Sequence, residues 1–414
     1  MATAEFEKIT ASEQTGGAVM LMLQFRVKLI NAAYGGAHAI LRIVHGILWP
    51  IPCHKRPKAV CIYRIGNIGD IVCALPAMYA IRRAYPDSRV VLLTSPGRVG
   101  MAGAREILHG ADWLDEIITY TSGDIATPRG KWQLLRRIRR YKFDFWFELP
   151  NDQATVRATL RNMLFAKASG VKRSEGWRLN TIGLWRQLQS DQLNFPNEVE
   201  RLLRIVKSED ISVEPVKYGL AHSPDIENKV TSLLQETGYP NGKTLVAIAP
   251  GAKRTTNFWL QERWIEAGRA IAHHDVFMIC VGGSADAQLC EAIAEGIGYG
   301  VVSVAGKTGI PELAELLGRC NLVLAVDSGV QHVAAAVGTP CVSLISARDY
   351  RGKWHPYGKH AVIEKRIGCH TCLIETCPYN NQCMRDIAVE EVVSNALAIL
   401  KMGGNSKCLS TASQ

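Results

Sequence analysis

The chain has 414 residues, enough for two domains of ordinary size, and its 47% hydrophobic and 21% charged content excludes a disordered protein. A formal charge of +10 and a pI near 9.0 call for an acidic partner: a phosphorylated substrate, anionic lipid or nucleic acid. Twelve cysteines in a chain this long do not read as a disulfide scaffold, so reduced or metal-bound thiols in a cytosolic setting are expected, with no cleavable signal at the start.

In chain order, residues 1–57 form an N-terminal extension. Its stretch 19–51 is apolar but broken by Arg26, Lys28 and Arg42, and its uncharged runs fall short of the roughly 18 residues of a spanning helix. Phe25, Leu29, Ile40, Ile43 and Trp49 mixed with these cations suit a helix lying in a membrane interface. The plainer alternative is a helix packed on the protein's own surface.

A strand-like run at 59–63 leads into Arg64-Ile65-Gly66-Asn67-Ile68-Gly69-Asp70, followed by a helical pattern over 71–83. Gly66 and Gly69 permit a tight strand-to-helix turn, and Asp70 falls at the helix start, where a carboxylate is favoured whether it caps or catalyses. The spacing is not the dinucleotide fingerprint, which argues against a nicotinamide cofactor. Strand-like runs continue at 89–93, 116–120 and 143–147, with helical patterns at 132–141 and 153–168. The helix bearing Arg136, Arg137, Arg139 and Arg140 has Leu134, Leu135 and Ile138 for a buried side, so its arginines read as a solvated or membrane-facing surface. Nucleic acid is not expected, since no zinc-finger, helix-turn-helix or RNA-stacking pattern accompanies them.

A polar segment over 208–243 with Pro215, Pro224 and Pro240 separates this half from a second alternation, with strand-like runs at 245–249, 276–281, 301–304, 322–326 and 341–345. The expected fold is α/β: two Rossmann-like doubly wound domains facing a central cleft, over 58–220 and 221–402, with a flexible tail over 403–414. In the second domain the first strand ends at Pro250-Gly251-Ala252-Lys253-Arg254-Thr255-Thr256. After the Gly251 turn, Lys253 and Arg254 suit a diphosphate and Thr255 its oxygens; an exposed loop with two solvated cations is the alternative. The strand at 322–326 ends at Asp327-Ser328-Gly329-Val330-Gln331-His332. There the first helical amides lack backbone partners, Gly329 lets a phosphate approach, Ser328 adds a hydroxyl, and His332 lies one turn along. An ordinary cap, with Asp327 or Ser328 serving only the backbone and His332 packed, is the competing account. Cys369, Cys372, Cys377 and Cys383 fall within fifteen residues, the first pair at knuckle spacing. Structural zinc, plain or redox-linked thiols, and an iron–sulfur cluster all remain open for them.

The combination Arg64-x-Gly66-x-x-Gly69-Asp70, Leu75-Pro76-Ala77, Pro250-Gly251-Ala252, Trp259 and Asp327-Ser328-Gly329-x-x-His332, closed by Gly338-Thr339-Pro340, resembles the family 9 glycosyltransferases, typified by ADP-heptose:lipopolysaccharide heptosyltransferases. The resemblance runs from about residue 60 to 400 and implies the GT-B fold, with the donor bound mainly by the second domain. It implies Asp70 as catalytic base, Ser328, Gly329 and His332 at the donor diphosphate, and no cofactor required for catalysis. Such enzymes usually carry a lysine two residues before the tryptophan matching Trp259, where this chain has Asn257. The expected activity is therefore inverting transfer of a sugar from a nucleotide diphosphate to a lipopolysaccharide-core or lipid-linked glycan, at an anionic membrane surface on the cytoplasmic side. The competing accounts are a sugar-nucleotide epimerase on the same fold and a non-catalytic basic adaptor.

Overall fold

The computed structural model describes residues 16–50, 56–97, 102–151, 154–179 and 196–407. Gln153, where one helical pattern begins, Ile51 and the tail from 408 lie outside them. The N-terminal apolar stretch forms one long helix, α1 (Gly16–Leu48). Its inner edge docks on the body: Tyr34 donates to the Leu179 carbonyl at 2.9 Å, His45 Nε2 lies 2.8 Å from the Ser174 carbonyl, and Trp49 Nε1 donates to the Val171 carbonyl at 3.0 Å.

The first domain follows as β1 (Ala59–Tyr63), α2 (Ile68–Ala84), β2 (Arg89–Thr94), α3 (Ala104–Ile107), β3 (Glu116–Thr119), α4 (Pro128–Arg139), β4 (Phe145–Glu148), α5 (Val156–Ala168), β5 (Arg173–Glu175) and α6 (Glu198–Lys207). Its strands are all parallel in the order β3-β2-β1-β4-β5. β1 reads Ala-Val-Cys-Ile-Tyr and is buried throughout because helices cover both faces of the sheet. Val60 and Ile62 meet α2 and α6 on one side, while Cys61 and Tyr63 meet α1, α4 and α5 on the other. Helix starts are marked locally: the Thr127 and Thr155 hydroxyls accept the Gly130 and Ala158 amides at the heads of α4 and α5.

The second domain runs α7 (Pro224–Glu236), β6 (Thr244–Ala249), α8 (Gln261–Ala272), β7 (Val276–Cys280), α9 (Ala287–Ile297), β8 (Val301–Ser303), α10 (Ile310–Arg319), β9 (Leu322–Val326), α11 (Gly329–Ala336), β10 (Cys341–Ile345), β11 (Ala361–Glu364), α12 (Gln382–Arg385) and α13 (Val389–Lys407). Its six parallel strands lie in the order β11-β10-β9-β6-β7-β8. Strand order therefore reverses between β1 and β4 in one sheet and between β6 and β9 in the other, and crevices for ligands open at such points, beyond the strands' carboxyl ends. The apolar cluster under α2 and α6 runs on without interruption into residues of β6, β9, α10 and α11, so the two domains share a core.

Candidate active site

Asp70 is the third residue of α2, and its Oδ2 accepts the Asn67 amide at 3.0 Å, closing the first turn. Gly66 before it sits at φ +151°, and a Cβ there would lie 2.3 Å from the Asp70 Cβ, so the turn needs glycine. Arg64, fully buried at the end of β1, reaches the same turn from below. It donates to the Asp70 carbonyl at 3.1 Å and the Pro150 carbonyl at 2.8 Å, and pairs with Glu198 Oε1 at 3.1 Å. Its guanidinium lies 3.9 Å from Asp70 Oδ1. Arg201 grips Glu198 through two 2.7 Å contacts. Burial alone would raise the Glu198 carboxyl, but the Arg201, Arg64 and Lys353 cations outweigh it and hold it at about 2. A fixed charge network thus underlies the Asp70 turn.

The start of α11 meets the start of α2 directly. A Cβ on Gly69 would lie 3.2 Å from His332 Cδ2, and one on Gly329 would lie 2.9 Å from Ile68 Cγ2. His332 is buried at this junction, its Nδ1 3.4 Å from Cys73 Sγ. Burial, aided by His360 and opposed by Glu198, lowers its pKa to about 4, so the ring is neutral at physiological pH. Two buried side-chain oxygens, Asn67 Oδ1 at the cap of α2 and Ser328 Oγ at the cap of α11, have no hydrogen-bond partner among the described residues. The Ser328 hydroxyl can donate to a phosphate oxygen beside the unsatisfied amides of the α11 start, which suits a phosphorylated ligand, whereas Asn67 Oδ1 is an acceptor and suits a hydroxyl or other donor across the junction.

Asp327, just before that cap, is committed to protein contacts. It accepts Asn257 Nδ2 on its carbonyl and on Oδ2, both at 3.0 Å, and Gln331 Nε2 on Oδ1 at 3.1 Å. Burial, with Asp349 nearby, raises its pKa to about 6 against the pull of Arg254, Arg348 and His355. Asn257 in turn accepts the Ser346 hydroxyl at 2.7 Å. The polypeptide after β6 is thereby tied to the head of α11. Gly251 leaves room for the Asp286 carboxylate, 2.3 Å from where its Cβ would stand. Lys253 is exposed, Arg254 Nε bonds both Glu375 oxygens at 3.2 Å, and Thr255 Oγ1 donates to the Glu375 carbonyl at 3.4 Å. Glu375 sits below the usual carboxylate range; its slight burial opposes this, and Arg254, Arg348 and Lys253 prevail. These three cations therefore gather around one exposed carboxylate beside the α11 entrance.

The structure brings Gly66, Asn67, Gly69 and Asp70 together with Ser328, Gly329 and His332, and places Lys253, Arg254 and Thr255 on the neighbouring rim. Cys369, Cys372, Cys377 and Cys383 lie on the polypeptide around Glu375 rather than at the helix junction. The thiols are near enough that their neighbours contribute, after burial, to raising Cys369 and Cys383. Among the described residues, no three His, Cys, Asp or Glu side chains are arranged to hold a metal ion. Glu198 and Arg201 were not singled out from the sequence, while Asp286 closes the strand-to-helix turn 281–286, a third strand end of the second domain read as part of the same crevice. The local sign for Glu198 was its place at a helix start on the same side as the apolar residues Val199, Leu202 and Leu203, all of them buried.

The profile of glycosyltransferase family 9 (heptosyltransferase) matches residues 131–382. Lipopolysaccharide heptosyltransferase 3 of Escherichia coli K12 is 24% identical over 300 residues, covering 71% of this chain and 84% of its own. A lipopolysaccharide core heptosyltransferase of Haemophilus influenzae is 25% identical over 300 residues, 70% of this chain and 79% of its own. Among solved structures, a family 9 glycosyl transferase from Veillonella parvula superposes with a TM-score of 0.67 at 18% identity, covering 83% of this chain and 98% of its own.

Proposed function

The chain belongs to glycosyltransferase family 9, the heptosyltransferases, and from that premise we propose that it transfers heptose with inversion from ADP-heptose to a lipopolysaccharide-core or lipid-linked glycan, with Asp70 as general base. The observation that carries the assignment of roles is the junction of α2 and α11, where a carboxylate in the first turn of one helix lies beside the Ser328-Gly329 start of another. In this reading the acceptor hydroxyl gives its proton to Asp70 as its oxygen bonds the anomeric carbon. The bond from that carbon to the diphosphate breaks on the opposite face, and the electron pair leaves with the nucleotide diphosphate. The α11 amides and the Ser328 hydroxyl receive the phosphate oxygens, and Lys253, Arg254 and Arg348 supply positive charge at the rim. His332, neutral and packed on Gly69, contributes by holding the two helix starts in register. The relatives named for lipopolysaccharide heptose transfer support the donor and acceptor classes.

We further propose that the reaction takes place at an anionic membrane surface on the cytoplasmic side, a reading supported by the chain's formal charge of +10 and by an acceptor class carried on lipid. A structural zinc on Cys369, Cys372, Cys377 and Cys383 would require the thiols to come together in an arrangement they do not have here. Less than about a tenth of an equivalent of zinc in protein purified without chelator would end that idea.

The test of function is turnover with ADP-heptose and a heptose-deficient core acceptor, followed by ADP release and product mass. Asp70→Asn is expected to lower kcat by roughly 10²–10⁴-fold with donor affinity retained. Consumption of another nucleotide sugar in place of ADP-heptose would overturn the donor. Isomerisation of a nucleotide sugar without acceptor would point to an epimerase instead.

A further inference from the structure

One face of the first domain carries no negative charge on its helices. α1, α4 and α5 cover the same side of the first sheet, opposite the side whose core runs into the second domain, with Leu41, Trp49, Ile138, Met163 and Ala166 in one cluster beneath them. α1 packs on α5, and Arg139 Nε ties α4 to α5 through the Ala168 carbonyl at 2.7 Å. None of these helices contains an aspartate or a glutamate, and together they hold eleven lysines and arginines, against a formal excess of +10 for the whole chain. The basic character of the protein is thus concentrated in this layer.

The same layer exposes large apolar side chains. Phe25, Leu29, Ile40, Ile43 and Ile47 recur at helical spacing along the outer side of α1, all more than half exposed and Ile47 at 72%. They lie opposite the docked edge of Tyr34, Leu41 and His45, and a Cβ on Gly36 between them would have nothing within 4 Å. Trp132 of α4 and Leu164 of α5 are also more than half exposed. A monomer rarely leaves such a surface uncovered. A second copy of the chain would set two acid-free layers together, with no carboxylate on these helices to pair Lys28 and Arg42. Nucleic acid would leave the aliphatic stripe unburied. Among the described residues no helix is long and apolar enough to cross a membrane. An apolar stripe flanked only by cations is the composition of a helix in the headgroup region of anionic lipid.

We propose that α1, α4 and α5 form a docking surface for an anionic bilayer, α1 lying in the interface with Lys28, Arg42, Lys131, Arg136, Arg157 and Arg161 meeting lipid phosphate. This deepens the membrane part of the reading above by naming the surface that makes contact. The test is co-sedimentation of the full chain with vesicles of phosphatidylcholine alone or with about one-third phosphatidylglycerol. The protein should bind the anionic vesicles, about tenfold or more weaker on neutral vesicles or in 1 M salt. The double variant Ile43→Glu/Ile47→Glu should lose that binding, and Lys131→Gln/Arg136→Gln should weaken it on anionic vesicles only. All variants should keep the melting temperature and the turnover of a soluble acceptor, so a failed transferase assay with intact vesicle binding would remove the donor reading and leave the docking surface standing. Wild-type protein that stays in the supernatant would overturn the proposal, as would variants that sediment like wild type. So would a dimer-to-monomer shift in the isoleucine variant without vesicle binding by either protein.

Discussion

Asn257 gives its whole carboxamide to the polypeptide around it: both Nδ2 contacts go to Asp327 at 3.0 Å, and Oδ1 takes the Ser346 hydroxyl at 2.7 Å. Where the resembling enzymes carry a lysine, this chain therefore has a neutral joint between the polypeptide after β6 and the head of α11. A neutral donor lowers a buried carboxyl less than a cation would, consistent with Asp327 standing at about 6. Asn257→Ala strips two donors from Asp327 in a buried setting and should cost about 1–3 kcal/mol, read as a lower urea midpoint at unchanged slope. An unmoved midpoint would mean that the joint holds nothing. His332 makes a different case. Its pKa in the fold, about 4, lies below the ordinary histidine value, so its contribution to stability is complete above about 6.5 and is lost as pH falls through 4. The pH–rate profile should then show no limb near 6.5 belonging to this ring; a limb there that vanishes in His332→Gln would contradict its buried, neutral placement.

The first turns of α2 and α11 interlock because glycine occupies both contact points. Gly329→Ala would bring a methyl within 2.9 Å of Ile68 Cγ2 and force the helices apart by several tenths of an ångström. Displacement between base and leaving-group site of that order costs up to about 10²-fold in rate, so kcat should fall far more than stability. Ile68→Ala in the same chain removes the obstructing methyl and should restore most of the lost rate; a double variant no faster than Gly329→Ala alone would place the damage elsewhere. The elements that build this junction were legible from the chain itself. The runs 322–326 and 341–345 are the strands β9 and β10, because an unbroken apolar run bounded by Gly, Pro or Asp is a buried parallel strand. β5 and β11 escaped notice, since both are short edge strands: Arg-Ser-Glu has no apolar residue and Ala-Val-Ile-Glu only three, too few to mark a strand. Asp70, Ser328 and Gly329 stood out because glycines and small polar residues after a strand leave a local trace. The contact of Gly69 with His332 leaves none, because its partners lie in different domains.

At the scale of the whole molecule, one buried residue, Glu198, supports the Asp70 turn through its carboxylate and ties the domains together through its backbone amide. Glu198 pairs with Arg64 below that turn and with Arg201 on its own helix, while its amide donates to the Lys353 carbonyl of the second domain at 3.0 Å. Beside it, Asn197 Nδ2 donates to the His355 carbonyl at 2.7 Å, so the first turn of α6 is fastened across the cleft at two points. Nothing local in the sequence announces this, since Arg64 and Glu198 meet across 134 positions. The sign of its pH dependence follows from the shift. Glu198 titrates at about 2 in the fold against an ordinary value of 4.5, so the folded state holds the ionised form more tightly than the unfolded chain. Its stabilisation, about 3 kcal/mol by that difference, is complete above pH 4.5 and is lost as pH falls towards 2. Glu198→Gln leaves buried Arg64 with only the more distant Asp70 carboxylate, 3.9 Å away, as counter-charge and should cost about 3–5 kcal/mol at neutral pH, because breaking a buried pair leaves a cation poorly compensated. The same variant should show a flatter loss of melting temperature than wild type between pH 4.5 and 2, having no carboxylate left to protonate. It should also lose kcat with the acceptor at saturation, since the Asp70 turn rests on Arg64. A variant that melts lower but keeps full kcat would separate the two roles, leaving the Glu198 carboxylate as a stabilising partner of Arg64 and Arg201, and Arg64 sufficient alone to set the base.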